Sequence, residues 1–124
     1  MTGVSYPFLK GHGTENDFVL LPDHDGAVHG DLAPERVRAL CDRRAGLGGD
    51  GVIRVIRTTA APVTAEVGET AAAWFMDYRN ADGSSSEMCG NGIRVFARHL
   101  VDTGLVDDHD FAIATRDGDK QIRV

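Results

Sequence analysis

Met88-Cys89-Gly90-Asn91-Gly92-Ile93-Arg94-Val95-Phe96-Ala97-Arg98-His99-Leu100-Val101 is the stretch on which the fold turns. Ile93, Phe96, Ala97, Leu100 and Val101 recur at helical spacing on one side, which predicts a helix from about Gly90 to Val101, and Thr103-Gly104 supplies its stop. Its apolar side is broad enough to be buried. A second, narrower helix is expected from about Asp31 to Arg44, with Pro34 tolerated in the first turn and Val37, Leu40 and Cys41 forming its apolar face.

The remaining periodic segments alternate as strands do. Tyr6 to Lys10 and Asn16 to Leu21 predict a hairpin around a Gly11-His12-Gly13 turn. Val52 to Thr58, with Val52, Ile53, Val55 and Ile56 set around Arg54 and Arg57, is expected to pair with Ala71 to Tyr78 across a polar loop near Thr64 to Glu69. Phe111 to Thr115, an Asp117-Gly118 turn and Gln121 to Val124 predict a last hairpin. No repeat, linker or domain boundary interrupts these elements. Ending inside an alternating strand, the chain reads as a cut polypeptide.

Its 124 residues, 42% hydrophobic and 26% charged, suffice for one core and exclude disorder and fibrous architectures. Thirteen Lys and Arg against nineteen Asp and Glu, without a basic run, leave no footprint for nucleic acid. The longest apolar run, Ala71 to Met76, is six residues, against the ~20 needed to span a bilayer. No membrane partner is expected, and the N-terminus lacks the features of a signal peptide. These readings place the protein in the cytoplasm, with Cys41 and Cys89 as thiols.

Most motif candidates carry little. Gly46-Leu47-Gly48-Gly49-Asp50-Gly51 has the G-x-G-x-x-G spacing of a dinucleotide site, but it follows a helix and leads into a strand, the reverse of the context that holds a pyrophosphate. The five histidines show no ligand spacing, so no metal is expected. Ser84-Ser85-Ser86 reads as loop, and no serine-hydrolase elbow is present.

Cys89 differs because it stands immediately before a helix whose first turn holds Gly90 and Gly92. First-turn N–H groups and the positive end of the helix dipole stabilise a nearby anion. They also lower a thiol's pKa, and glycines let a ligand approach the backbone. Two readings stand: a thiolate beside a carboxylate-binding turn, or a small buried hydrophobe beside turn glycines. Cys41, on an apolar helix face, reads as a buried structural thiol. Asn16 and Asn80 each put an amide at a strand edge, suited either to local turn chemistry or, having both a donor and an acceptor, to a zwitterionic ligand.

Together, Lys10-Gly11-His12-Gly13-Thr14-Glu15-Asn16-Asp17-Phe18-Val19, Asp42 to Gly51, Tyr78 to Ser84 and Met88 to Arg94 resemble the N-terminal half of the diaminopimelate epimerases. The resemblance implies a racemase that needs no cofactor, pyridoxal phosphate included, and interconverts LL- and meso-diaminopimelate for lysine and peptidoglycan synthesis. It implies an α+β fold, a curved antiparallel sheet wrapped around a central helix, here Gly90 to Val101, with a second such domain absent from this chain. It further implies a homodimer when full length, catalysis by a pair of thiols of which Cys89 matches the N-terminal one, and substrate contacts at Asn16, Asn80, Gly90 and Asn91. Thr14-Glu15 replaces a more usual Leu-Gly, Gly51 stands where many members carry a substrate-touching Gln, and Ser85-Ser86 replaces a commoner Glu-Val. A proline or hydroxyproline racemase, a PhzF-like isomerase and a non-catalytic binding module of the same fold are the alternative readings.

Overall fold

The structure is a computed structural model and describes residues 8–12, 16–29, 32–61, 70–85 and 90–124. Strands β1 (Leu9–His12), β2 (Asp17–Pro22), β3 (Gly51–Arg57), β4 (Trp74–Asn80), β5 (Asp110–Thr115) and β6 (Gly118–Arg123) form one sheet whose spatial order follows the chain. Helix α1 (Pro34–Cys41) joins β2 to β3, and helix α2 (Gly90–Asp102) joins β4 to β5.

Those two insertions set the strand directions. A helical crossover returns the chain to the end of the sheet where the previous strand began, so the next strand runs parallel to it. Accordingly β2–β3 and β4–β5 are parallel, whereas β1–β2, β3–β4 and β5–β6 are antiparallel. The α+β class and a helix packed on the sheet agree with the sequence reading. The sheet is mixed rather than antiparallel throughout, because two of its connections carry helices.

Strand alternation sorts the core between the two faces. Phe18, Leu20, Ile53, Val55, Trp74, Met76 and Tyr78 point to one face, where Ile93, Phe96, Ala97 and Leu100 of α2 cover them. Val19, Leu21 and Val52 point to the other, under Val37 and Cys41 of α1, with Ile56, Phe75 and Ala114 forming a further apolar patch. α2 is one residue longer at its C-terminal end than predicted.

Two sequence expectations change, and one polar strand position is buried. Gly11 and His12 continue β1 instead of turning, pairing with Phe18 and Asp17. A β-carbon on Gly11 would run into the Val95 side chain and stand 2.8 Å from Leu20 Cδ1, so this glycine permits β1 to close on α2. α1 is shorter than expected: Pro34 is in its first turn, but after Cys41 the Asp42 carboxylate accepts the N–H groups of Arg44 (2.8 Å) and Ala45 (3.1 Å), which diverts the chain. In β3, Arg54, a polar position of the alternation, is 1% exposed.

Arg54 is tolerated there because it is paired. Its Nε lies 3.0 Å from Asp77 Oδ2 and its Nη1 3.2 Å from Asp23 Oδ2, while Arg79 Nε (3.1 Å) and Arg116 Nη2 (2.8 Å) bind Asp77 Oδ1. Burial opposes ionisation of Asp77, but Arg79, Arg116 and Arg54 together outweigh it and hold its carboxyl below the usual range. Tyr6, Pro7, Gly13 and the loop expected near Thr64 to Glu69 lie outside the described residues.

Candidate active site

Topology brings distant motifs to one end of the sheet. Because β2 and β3 are parallel, both begin there, with Phe18 beside Gly51; because β4 is antiparallel to β3, it ends there, with Asn80 opposite Gly51. α2 starts ten residues after Asn80, and its first turn meets the segment that leads into β2. Asn91 Nδ2 donates to Asn16 Oδ1 at 2.6 Å, joining residues 75 apart in sequence.

A charged brace stands behind that amide pair. Asn16 Nδ2 donates to Asp50 Oδ2 at 3.3 Å, and the same oxygen accepts the backbone N–H of Asp17 at 3.0 Å. The Asp50 N–H donates to the Asp17 carbonyl (2.8 Å), and the Asp50 carbonyl accepts from the Ala81 N–H (3.1 Å). Asp50 therefore ties the start of β2 to the exit of β4. Arg43 links the two carboxylates, reaching Asp17 at 2.8 Å and Asp50 at 3.3 Å, and Lys10 holds Asp17 at 3.0 Å. Lys10 also donates to the carbonyl of Gly48. The bonds from Arg43 and then Lys10 keep the Asp17 carboxyl well below the ordinary range, and Asp17 in turn raises the pKa of Arg43.

Asn80 has a local role as well as its place at this end. Its Nδ2 donates to Ser84 Oγ at 3.1 Å, and its backbone N–H donates to the Ser84 carbonyl at 2.8 Å, the turn chemistry that its sequence context suggests. Gly83 closes the turn with φ +92° against Pro34, where a β-carbon would stand 2.7 Å from a backbone oxygen. Gly51 is also sterically fixed: a β-carbon there would lie 2.7 Å from both the Arg79 carbonyl oxygen and Tyr78 Cε1. Around Gly90, by contrast, a β-carbon would meet no atom within 4 Å among the described residues.

Cys89 lies outside the described residues. Cys41 is buried under α1 with Val37 and Leu32, and burial pushes its thiol pKa up. That is the inert environment expected for it. A groove of about 770 Å³ runs along α2 between edge strands β1 and β6, lined by Leu9, Gly11, Val95, Arg98, Ile122 and Val124. Among the described residues, Asn16, Asn80, Gly90 and Asn91 are not in its lining.

Comparison with protein families matches residues 8–124 to the diaminopimelate epimerase model. The chain belongs to the diaminopimelate epimerase family. Relatives carrying that name include those of Streptomyces coelicolor, 58% identical over 94% of this chain, Thermobifida fusca, 60% over 93%, and Corynebacterium glutamicum, 52% over 98%. This chain spans only 39%, 42% and 42% of their respective lengths. Among solved structures, a phenazine biosynthesis protein of the PhzF family from Bacillus anthracis superposes with a TM-score of 0.59 at 19% identity, covering 95% of this chain and 33% of that one. That likeness is one of fold.

Within this diaminopimelate epimerase fold, Asn16, Asn80, Gly90 and Asn91 occupy the same end of the sheet, with a direct bond between Asn16 and Asn91. Sequence reasoning missed Asp50, Arg43, Asp17 and Lys10 as the frame of that site. The available signal was their position inside two of the four motifs, at helix-to-strand and turn-to-strand junctions, where loops carry function.

Proposed function

We propose that this chain is the N-terminal domain of a cytoplasmic, cofactor-independent epimerase that interconverts LL- and meso-diaminopimelate. The carrying observation is the 2.6 Å bond from Asn91 to Asn16, which joins the first motif to the helix start that directly follows Cys89. Inverting a stereocentre by proton exchange needs one group to take the α-proton from one face and another to deliver a proton to the opposite face. Cys89 is one of the pair. As thiolate it removes the α-proton, the electron pair of the broken C–H bond spreads onto the adjacent carboxylate, and a second thiol protonates the other face; the reverse reaction exchanges the roles.

The N–H groups of Gly90 and Asn91, at the positive end of α2, hold that carboxylate and stabilise the charge that develops on it. Asn16 and Asn80 supply neutral donors and acceptors to the rest of the zwitterionic substrate. Cys41 is not the second thiol, since it is 5% exposed and sits on the buried side of α1, in one apolar cluster with Val37 and Leu32. The second thiol belongs to the part of the relatives' length that this chain does not span, and the complete protein is a homodimer. The chain alone is then incompetent.

A chimera tests this reading. The 124-residue chain is incubated with meso-diaminopimelate in D2O, alone and fused to the C-terminal part of the Streptomyces coelicolor relative. The chain alone should give no α-deuteration; the fusion should give deuterated LL and meso isomers, and Cys89→Ser in the fusion should abolish them. A folded fusion that leaves the α-proton in place, or a Cys89→Ser fusion with full turnover, refutes the proposal.

A further inference from the structure

We infer that Asp50 is a positioning residue, fixing which way round the side-chain amides of Asn16 and Asn91 face. This rests on the reading above, in which those two amides meet the substrate. An asparagine amide presents a donor on one side and an acceptor on the other, and rotation by half a turn exchanges them. Two amides bonded only to each other can flip together and keep their bond. A carboxylate removes that freedom because it only accepts.

The geometry runs in one direction. Asp50 Oδ2 lies 3.3 Å from Asn16 Nδ2, so Asn16 must turn its NH2 toward Asp50 and its Oδ1 away. That oxygen then accepts from Asn91 Nδ2 at 2.6 Å, which commits the NH2 of Asn91 to Asn16 and leaves Asn91 Oδ1 as the acceptor of the pair. Asp50 itself cannot rotate freely. The Asp17 N–H holds Oδ2 at 3.0 Å and Arg43 holds Oδ1 at 3.3 Å, while the Asp50 backbone is pinned to Asp17 and Ala81. Arg43 is in turn anchored on Asp17 at 2.8 Å. The polarity of the amide pair is therefore set from outside it, by a residue one position before β3.

Asp50→Ala removes the acceptor; Asp50→Asn keeps one carbonyl oxygen for Asp17 N–H and Asn16 while losing the charge. The readout is the side-chain amide signals of Asn16 and Asn91 in 15N-labelled chain without substrate, together with KM and kcat of the chimera. In the parent chain both amides should show distinct, exchange-protected proton pairs. Asp50→Ala should move both toward free-asparagine positions and raise KM about tenfold, the scale of one oriented hydrogen bond, with kcat held. Asp50→Asn should restore KM and the Asn91 signals while moving the Asn16 NH2 protons upfield, because their acceptor is no longer charged. If Asp50→Ala does not fold, Asp50→Asn decides: Asn16 NH2 protons at their parent positions in a folded Asp50→Asn chain overturn the inference. So do unchanged Asn16 and Asn91 signals in folded Asp50→Ala. The amide signals are read without substrate, so their response is separable from any failure of the diaminopimelate reading, which the unmodified chimera tests.

Discussion

Replacing Asp77 with Asn should be the most destabilising single-atom exchange in this chain. Asp77 is fully buried in the sheet face under α1, and its two oxygens carry Arg116 at 2.8 Å, Arg54 at 3.0 Å and Arg79 at 3.1 Å. An amide keeps one oxygen and turns an NH2 toward a guanidinium, so donors face donors, and of the three arginines Arg54 keeps an acid partner in Asp23 at 3.2 Å. Breaking a buried ion pair by removing one partner costs about 3–5 kcal/mol. For a domain of this size that corresponds to a fall in Tm of roughly 10–25 °C. An exposed pair provides the control: Arg98 and Asp102 lie 3.2 Å apart with side chains 70% and 60% exposed, and Asp102→Asn should cost less than about 1 kcal/mol. The assay is urea denaturation of parent and variants from pH 7 down to pH 3. The folded pKa of Asp77 is depressed, so its contribution is complete above the unfolded value near 3.9 and is lost as pH falls through the folded one. The gap between parent and Asp77→Asn should therefore be full at pH 7 and narrow below about pH 4. A gap under about 1 kcal/mol at pH 7, or one that stays constant to pH 3, refutes the reasoning.

Three further outcomes follow from the same contacts. Gly51→Ala forces a β-carbon to within 2.7 Å of the Arg79 carbonyl oxygen, and the resulting overpacking should cost about 1–3 kcal/mol in a urea melt; an unchanged midpoint contradicts it. Burial raises the Cys41 pKa, so iodoacetamide at neutral pH should modify Cys89 well before Cys41, with equal or reversed rates in peptide mass spectra counting against the active-site reading. His29 and His99 are both lowered, chiefly by burial, and a depressed histidine stabilises the fold above its unfolded pKa near 6.5 and loses that contribution as pH falls. Stability should thus begin to drop below about pH 6.5, before the carboxylates titrate, and His29→Gln with His99→Gln should flatten that first limb.

Much of this was legible in the sequence, for identifiable reasons. α2 declared itself because five apolar residues at helical spacing have no other economical explanation, and its observed start at Gly90 agrees with that reading. Cys41 was placed by the same periodicity, and the Gly46 to Gly51 connection by its position between a helix and a strand. The burial of Arg54 was not legible, because period-two alternation says only which side of a strand a residue faces; whether that side meets water or an ion-paired interior depends on Asp23 and Asp77, 31 and 23 residues away. The antiparallel sheet that the resemblance implied holds for the three hairpin pairings and not for the other two, since alternation is blind to polarity. The inserted helices were the usable signal, as each turns a pairing parallel. Asn16 looked like a local turn residue because its decisive partner, Asn91, is 75 positions on.

The two faces of the sheet do separate work, and this makes site and stability independently testable. α2 is seated by apolar contacts, Phe96, Ala97 and Leu100 on Phe18, Ile53 and Met76, with Gly11 allowing β1 to close beside Val95. Close packing of that kind leaves little freedom to slide, which a 2.6 Å bond between the first turn of α2 and the lead-in to β2 requires. The buried charges occupy the opposite face, under α1, bonded to Asp77 and Asp23 rather than to Asp50. Removing Asp77 lowers the fraction of folded molecules without altering the amide pair in those that remain folded, whereas removing Asp50 alters the pair directly. Two aspartates in one sheet, each bound to arginine, thus have different consequences because one is packed in the interior and the other stands where two strands begin.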